Sequence, residues 1–502
     1  MLPFYQNLPF FSIVACMLAG IFTSLCHQGK TAFRIQMGLF CAVAAASLYT
    51  LICVNTAGES FLYQLGILGH PWGNELRCGP LEAGLALAFT VVMALCILGG
   101  VQDLFHDIHP SKQPLYFVMG DLLLASMLAM VYTNDLFTAY VFIEINTIAS
   151  CALVMAKDSG PTIAATMRYL VMSLIGSGLF LFGLSLLYWI TGELLIPDTQ
   201  DAIVALYASG EYLLPLTLIL GMMMVGLCVK SALYPFHTWL PDAHGSATTS
   251  SSAILSGLVL KGYIVLMLKL MVQVCTLEVF NGLHLNTLLL LFGALAMIMG
   301  SVNALKETHI KRMIAYSSVA QIGYIYLGLG LGTQAALVAA VYQILVHAFT
   351  KPLLFCCAGE LANASYHHKH MYFLRGAAHR SKVAGIGFTL GGLSMIGIPL
   401  LGGFAVKFYL ADAALLGGWQ LVLALGALAA SSVLNALYYM PIIINIWALG
   451  DAHDPDPLPG LLPKPAKPAF VVAVVGLSVG AVALGLGLAP MADFLTAGLA
   501  LM

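Results

Sequence analysis

Charge is the scarcest property of this sequence. Aspartate, glutamate, lysine and arginine make up 8% of its 502 residues, against 60% hydrophobic residues and a mean hydropathy of +0.94. So little charge excludes a large water-soluble domain and points to a chain that crosses a membrane many times. The formal net charge of −2 offers no basic surface, so no nucleic-acid partner is expected. CxxC pairs are absent. The eleven cysteines are scattered through apolar runs and read as small buried hydrophobes, without an iron–sulfur or zinc-ribbon signature. There is no GxGxxG fingerprint, and no loop is long enough for a soluble domain. No cofactor is therefore expected in this chain. No basic stretch precedes the first apolar run, Leu8 to Cys26, which is expected to be a retained span and not a cleaved signal peptide.

What is present is a series of apolar runs, each near the roughly 20 residues a membrane helix needs. About fourteen can be counted: 8–26, 36–54, 83–101, 115–132, 135–156, 163–191, 213–245, 252–273, 285–304, 313–331, 336–362, 383–415, 420–447 and 469–488. With the N-terminus outside, fourteen of the twenty basic residues fall at cytoplasmic ends, among them Lys30, Lys112, Lys157, Lys306, Lys311 and Lys467. Arg77 lies outside, and Lys269 is expected to snorkel to the outer surface. That bias predicts both termini on the outer side of a cell inner membrane. The loop over 55–82 is expected to be ordered only by packing, and the proline- and aspartate-rich stretch over 448–468 reads as an extended cytoplasmic connector.

Four lysines remain inside the apolar runs: Lys230, Lys261, Lys351 and Lys407. A lysine near mid-bilayer costs roughly 2.5–3.5 kcal/mol on insertion scales, so it lines water or finds a partner. Glu144 lies about nine residues from Asp135 and thirteen from Lys157, which puts it near mid-membrane. A lone carboxylate there must protonate or pair, and Lys230 is the natural partner. A static bridge that only fixes packing is the bland alternative. His347 and Lys351 share one helix face at i, i+4, next to Pro352. Histidine titrates near neutral pH and can relay a proton, although a polar packing pair would look the same in sequence.

The run over 213–273 organises the chain. Lys230 ends an uncharged stretch, Pro235 and Pro241 interrupt the helix, and His237, Asp242 and His244 surround the break as second candidates for a polar path. The run over 383–415 is built alike, with Pro399, Gly402 and Gly403 just before Lys407. Two broken spans are a pointer to a repeated transporter unit. Five spans separate them, and an odd offset inverts the second copy. The fold class expected is thus an all-α polytopic membrane protein with two inverted five-helix repeats, each containing a broken helix. Its parts are an N-terminal three-helix segment (1–114), a first repeat of spans four to eight (115–273), an inverted second repeat of spans nine to thirteen (285–447), and a linker with a C-terminal helix (448–502).

Two polar clusters invite a metal reading: Asp103, His106 and Asp107, and His367, His368 and His370. Each sits at a cytoplasmic end or loop, where a solvated or partner-facing segment explains the same residues, and no metal is expected.

The stretch KSALYPFHTWLPDAH resembles the signature of the antiporter-like proton-translocating subunits. That family includes three large membrane subunits of respiratory complex I, the Mrp sodium/proton antiporter subunits and the membrane subunits of energy-converting hydrogenases. NDLFTAYVFIEINTIASCALV, LKGYIVLMLKL, KRMIAYSSVAQIGYI, HAFTKPLLF and GIPLLGGFAVKFYL resemble its fifth, eighth, tenth, eleventh and twelfth spans, and the likeness covers roughly residues 115 to 450. It implies that Glu144 and Lys230 are the first half-channel pair, Lys261 the central relay, His347 part of the hydrated axis and Lys407 the outlet of the second half-channel. One departure is local: where the family often has prolines after PDAH, this sequence has GSATTSSSA, with extra hydroxyls. The chain also ends soon after its last span, as in the shorter members, without the amphipathic extension of the largest complex I homologue.

Three functions are in competition. The leading expectation is a proton-translocating subunit of a multisubunit energy-converting complex, complex I-like or hydrogenase-like. Its partners would be other membrane subunits, including other antiporter-like subunits, with a cytoplasmic redox arm as the source of energy. Any oxidoreductase chemistry would then reside in those partners. The alternative is an Mrp-type Na+/H+ antiporter subunit without a redox partner. The third is a structural scaffold whose charges are inert.

Overall fold

The structure, a computed structural model, describes residues 3–65, 73–415, 418–448 and 466–502. Among the described residues, thirteen helices are long and apolar enough to cross a membrane. Helices satisfy their backbone groups internally, which lipid demands of anything that spans it. In chain order the elements are α1 (Leu8–Ser24), α2 (Gly29–Ala57), β1 (Phe61–Leu65), β2 (Asn74–Cys78), α3 (Pro80–Asp107), α4 (Gln113–Tyr132), α5 (Leu136–Met155), α6 (Gly160–Thr191), α7 (Ile196–Ser209), α8 (Leu213–Lys230) and α9 (Trp239–Ser246). There follow α10 (Thr249–Val274), α11 (Leu285–Lys306), α12 (Ile310–Leu331), α13 (Gln334–Asn363), α14 (Lys382–Ile396), α15 (Gly402–Ala414), α16 (Gly418–Trp447), α17 (Pro468–Leu486) and α18 (Leu488–Ala500).

The twelfth expected span, 383–415, is the pair α14 and α15, each too short to cross alone. Gly397 (φ 93°) ends α14 in a left-handed conformation, and Leu400 (φ 73°) follows before α15 begins. A Cβ on Gly403 would lie 1.8 Å from the Ser394 carbonyl oxygen, so only glycine lets α15 start against the end of α14. The span expected over 213–245 is likewise interrupted. Its crossing helix, α8, stops at Lys230, and α9 begins after an irregular stretch over 231–238. Pro235 lies in that stretch, where it has no N–H to continue a helix. Pro241 is tolerated because it falls in the first turn of α9.

Burial sorts the helices into a centre and a rim. α10 is buried at every residue but Val272, and α12 and α13 are nearly so. Large apolar side chains such as Trp189, Phe182, Val422 and Val479 are exposed on the outer helices, where a bilayer would cover them. The ladder of α10 widens over Leu255–Val259 and again over Leu270–Val274, a local distortion frequent at functional sites. There α10 meets the proline kink of α13: a Cβ on Gly257 would lie 2.4 Å from Pro352 Cγ.

Three features depart from the sequence expectations. The loop over 55–82 contains an antiparallel hairpin, β1 with β2, pairing Phe61 with Cys78 and Leu65 with Asn74. Its residues 66–72, and residues 449–465 of the expected connector over 448–468, lie outside the described residues. Helices α7 and α18 were not anticipated; both are shorter than a span. Lys269 does not snorkel to the surface. It is buried and donates to the Thr133 carbonyl at 2.7 Å, because α10 is enclosed by protein at that end as well. All eleven cysteines are unpaired and eight are buried, while Cys41 is exposed and Cys26 and Cys53 are half-buried.

Candidate functional site

The first pair sits where α5 meets the end of α8. Lys230 is the last residue of α8, and the unpaired carbonyls of a helix C-terminus favour a cation there. Its Nζ lies 3.9 Å from Glu144 Oε1, donates to Thr147 Oγ1 at 2.6 Å, and stands 5.6 Å from the centre of the Tyr263 ring. Thr147 is three residues from Glu144 on the same face of α5, so carboxylate and hydroxyl approach the ammonium together. The pair is asymmetric: the Lys230 side chain is 1% exposed and that of Glu144 24%. Glu144 Oε1 has no hydrogen-bond partner among the described residues. The contact is therefore Coulombic and loose, not a locked bridge.

Lys261 follows the first widened turn of α10, and its ammonium donates to the carbonyl of Ser256, inside that turn. Ser256 Oγ is 2.9 Å from Ser318 Oγ on α12. His244 and His347 are fully buried nearby, and both interact electrostatically with Lys261 and Lys351. Neither ring nitrogen of either histidine has a hydrogen-bond partner among the described residues. Buried polar groups are nearly always paired, so four orphaned nitrogens mark a place built for exchangeable protons or water. His244 is held by its ring, stacked 4.6 Å from Phe355.

From Lys351 a hydrogen-bonded chain leads toward Lys407. Lys351 Nζ donates to Ser317 Oγ at 2.8 Å and to the Ile314 carbonyl at 3.1 Å. Tyr438 OH lies 3.0 Å from Ser317 Oγ and 2.5 Å from Asn435 Oδ1. Asn435 Nδ2 reaches Tyr324 OH at 3.5 Å, and the Tyr324 ring lies 5.6 Å from Lys407 Nζ. Lys407 donates to the Ile396 carbonyl at 2.5 Å, which caps the last residue of α14. One lysine thus stands at each helix break: Lys230 ends the half before its break, and Lys407 reaches back from the half after.

The structure brings Glu144, Lys230, Lys261, His347, Lys351 and Lys407 into this sequence of groups, buried from Lys230 to Lys351 and half-buried at its two ends, and the buried His244 joins them. His237 is buried between the rings of Tyr234 (5.0 Å) and Tyr316 (6.0 Å). Asp242 stands apart: Arg168 and Arg312 hold it at 2.5 and 2.6 Å at an exposed end of the bundle. Sequence reasoning missed Thr147, Tyr263, Ser317, Asn435 and Tyr438. Polar spacing was the available signal, i, i+3 for Asn435 and Tyr438 in α16. It also missed Asp121, a fully buried carboxylate on α4 that accepts from Gln36 at 2.9 Å and Thr23 at 3.2 Å.

The two histidine clusters do not gather. Asp107 pairs with Lys157 at 2.8 Å, the His106 ring stacks 5.9 Å from His367, and His368 packs on Phe373. Among the described residues no three histidine, cysteine or acidic side chains group as metal ligands.

With that geometry in place, comparisons with known proteins fall on one family. Residues 133–433 match the family described as NADH:quinone oxidoreductase/Mrp antiporter, transmembrane. NADH-quinone oxidoreductase subunit N of Desulforudis audaxviator is 33% identical over 466 residues, covering 89% of this chain and 88% of that one. A Na(+)/H(+) antiporter subunit from Alkalihalophilus pseudofirmus is 26% identical over 449 residues, covering 86% and 87%. Among solved structures, a chain of the archaeal membrane-bound sulfane sulfur reductase superposes with a TM-score of 0.84 at 25% identity, covering 99% of this chain and 97% of that one. A chain of the Mrp complex of a Dietzia species gives 0.86 at 22% identity, with the same coverage. These last two share the fold described above end to end.

Proposed function

The chain belongs to the NADH:quinone oxidoreductase/Mrp antiporter transmembrane family, and from that membership we propose that it is a proton-translocating membrane subunit of a multisubunit energy-converting complex. The observation that carries the reading is the run of buried and half-buried charged groups from Glu144 and Lys230 through Lys261, His347 and Lys351 to Lys407. Four lysines inside a membrane bundle are costly unless they are used. Lys351 is linked toward Lys407 through Ser317, Tyr438 and Asn435, and among the described residues only Lys230 of the four has a carboxylate within ion-pairing distance.

The first pair acts as the switch. With Glu144 ionised, the Lys230 ammonium is held by the carboxylate at 3.9 Å and by Thr147. A proton placed on Glu144 removes the counter-charge, and the proton affinity of Lys230 follows the charge beside it. Lys230 then releases its proton toward Lys261. His347 and Lys351 pass charge on, and the Ser317–Tyr438–Asn435 chain carries it to Lys407. The half-exposed position of Glu144 fits control from outside the chain, since a carboxylate at membrane depth needs cover from a neighbouring membrane subunit.

The partners are other membrane subunits, since the similar solved chains come from multisubunit membrane complexes. Residues 115–273 and 285–447 are read as inverted repeats, each with one broken helix. The distribution of basic residues supports both termini outside an inner membrane. No cofactor is assigned to this chain; a redox arm would supply the energy. Resemblance to the Alkalihalophilus antiporter chain keeps sodium-driven exchange as the second reading.

Inverted vesicles containing the whole complex separate the readings. Proton uptake that requires an electron donor supports the redox-driven pump. Exchange driven by a sodium gradient alone supports the antiporter. Neither, in an assembled complex, leaves the scaffold.

A further inference from the structure

A second polar constellation lies off the axis, at the end of the bundle that carries Lys112, Lys157, Arg168, Lys311, Arg312 and Lys369. Here a cavity of about 330 Å³ is lined by Asp103, Asp107, Lys157, Thr249, Lys311 and Asn363, with His106, His367 and Lys369 at its wall. Its centre is Asp103, near the end of α3. Asp103 Oδ2 accepts from Thr249 Oγ1 at 2.5 Å and Oδ1 accepts from Asn363 Nδ2 at 2.7 Å. Thr249 is the first residue of α10, and the positive end of that helix favours a carboxylate. Lys311, 4% exposed, faces the other side of Thr249: its Nζ is 3.4 Å from Thr249 Oγ1 and 3.3 Å from the Ala247 carbonyl. A carboxylate and a buried ammonium therefore share one hydroxyl.

That hydroxyl is the first of a buried row. Thr248, Thr249, Ser250, Ser251 and Ser252 are all buried at the start of α10. The row fits between α3 and α13 because both are glycine there. A Cβ on Gly100 would lie 2.3 Å from Ser250 Oγ, and one on Gly359 would lie 2.5 Å from Thr249 Oγ1. Ser252 Oγ donates to the His244 carbonyl at 3.2 Å. Ser250 Oγ has no hydrogen-bond partner among the described residues, and neither has either ring nitrogen of His244. His244 lies within electrostatic reach of Lys351, Lys311 and Lys261. Cavity and buried hydroxyls thus stand together at the start of α10, where Ser252 ties them to the backbone of His244.

We propose that Asp103, Thr249 and Lys311 form a proton-loading antechamber that feeds the axis through His244. This rests on the reading of the axis as a proton path. A proton from water in the cavity protonates the Asp103 carboxylate and leaves a neutral acid. Asp103 then gives a proton to the hydroxyl row, each hydroxyl accepting one proton and giving up its own. The excess proton ends on a ring nitrogen of His244, and Asp103 returns to its carboxylate form.

The test uses the whole complex in inverted vesicles, with two readouts. The first is transport by Asp103→Asn, Asp103→Glu and Thr249→Val. The Asn and Val variants are expected to lose about tenfold or more in proton uptake, with rescue by Glu. The second is labelling of Asn363→Cys by a charged, membrane-impermeant maleimide added outside the inverted vesicles, measured against the parent chain with its eleven cysteines. Labelling is expected. Unlabelled Cys at 363, or full uptake in assembled Asp103→Asn, overturns the antechamber. Loss of sodium coupling with proton movement intact assigns the cavity to sodium and overturns it too. If Asp103→Asn fails to assemble, Thr249→Val carries the transport test. Glu144→Gln is run alongside: if it too transports fully, the axis has failed, whereas its loss beside an active Asp103→Asn removes the antechamber alone.

Discussion

Lys407 donates a hydrogen bond of 2.5 Å to the carbonyl of Ile396, across the break between α14 and α15. A helix end leaves its last carbonyls unpaired, and an ammonium is a good cap for them. The same side chain therefore closes a helix and, in the proposed function, ends the proton path. Lys407→Ala is expected to reduce proton transport in vesicles to background while the complex still assembles. Lys407→Arg retains the cap but holds its proton permanently, so it should assemble normally and still fail in transport. Transport by the arginine variant at the parent rate would show that Lys407 is only a cap.

The link from Lys351 toward Lys407 passes through the phenol of Tyr438. Tyr438 bridges Ser317 and Asn435, and Tyr438→Phe keeps the ring while breaking the bridge. Proton transport is expected to fall by roughly tenfold, the lower end of what a positioned proton-transfer group contributes. Thermal stability of the detergent-extracted complex should change little, which separates a relay defect from a packing defect.

Gly257 faces Pro352 where α10 crosses the kink of α13. Gly257→Ala would put a methyl 2.4 Å from Pro352 Cγ, and neither proline ring nor backbone can move aside cheaply. Overpacking of this kind destabilises by about 1–3 kcal/mol. A lowered melting temperature of the purified complex is the expected result; an unchanged one would mean that α10 and α13 are not in this contact.

His309 caps α12 from outside the membrane segment, its Nδ1 accepting from the Arg312 backbone N–H at 3.4 Å. Burial, and then the charges of Lys369, Lys311 and Arg312, push its pKa down to about 4. Only the neutral ring can accept that bond. Free histidine titrates near 6.5, so the unfolded chain takes up the proton first. The cap's contribution is complete above that value and declines as pH falls toward about 4. Amide protection at Lys311 and Arg312, taken relative to the intrinsic exchange rate at each pH, should fall as pH drops through that window, and His309→Asn, which caps without titrating, should abolish the fall.

The physics that makes charge costly in a bilayer also made the axis legible. Glu144, Lys230, Lys261, Lys351 and Lys407 stand out in apolar runs because nothing but a partner or water can hold them there. Proline and glycine marked both broken helices for the same reason, since a missing N–H or Cβ has a direct backbone consequence. Groups that are cheap to bury left weaker traces. Thr147, Ser317 and Tyr438 are ordinary in a membrane helix, and only their meeting across helices sets them beside the lysines. Lys269 looked like a snorkelling side chain because its span was judged by position along the helix, while the enclosure of α10 comes from helices distant in sequence. The short hairpin β1–β2 and helix α7 lacked the length or periodicity that would separate them from loop.

The most direct test of the account is proton transport by Glu144→Gln and Lys230→Ala in the assembled complex, measured in inverted vesicles with the native energy source supplied. Both variants are predicted to assemble and to lose most of the coupled transport. Assembly with full transport in both would contradict the claim that the Glu144–Lys230 pair switches a proton path.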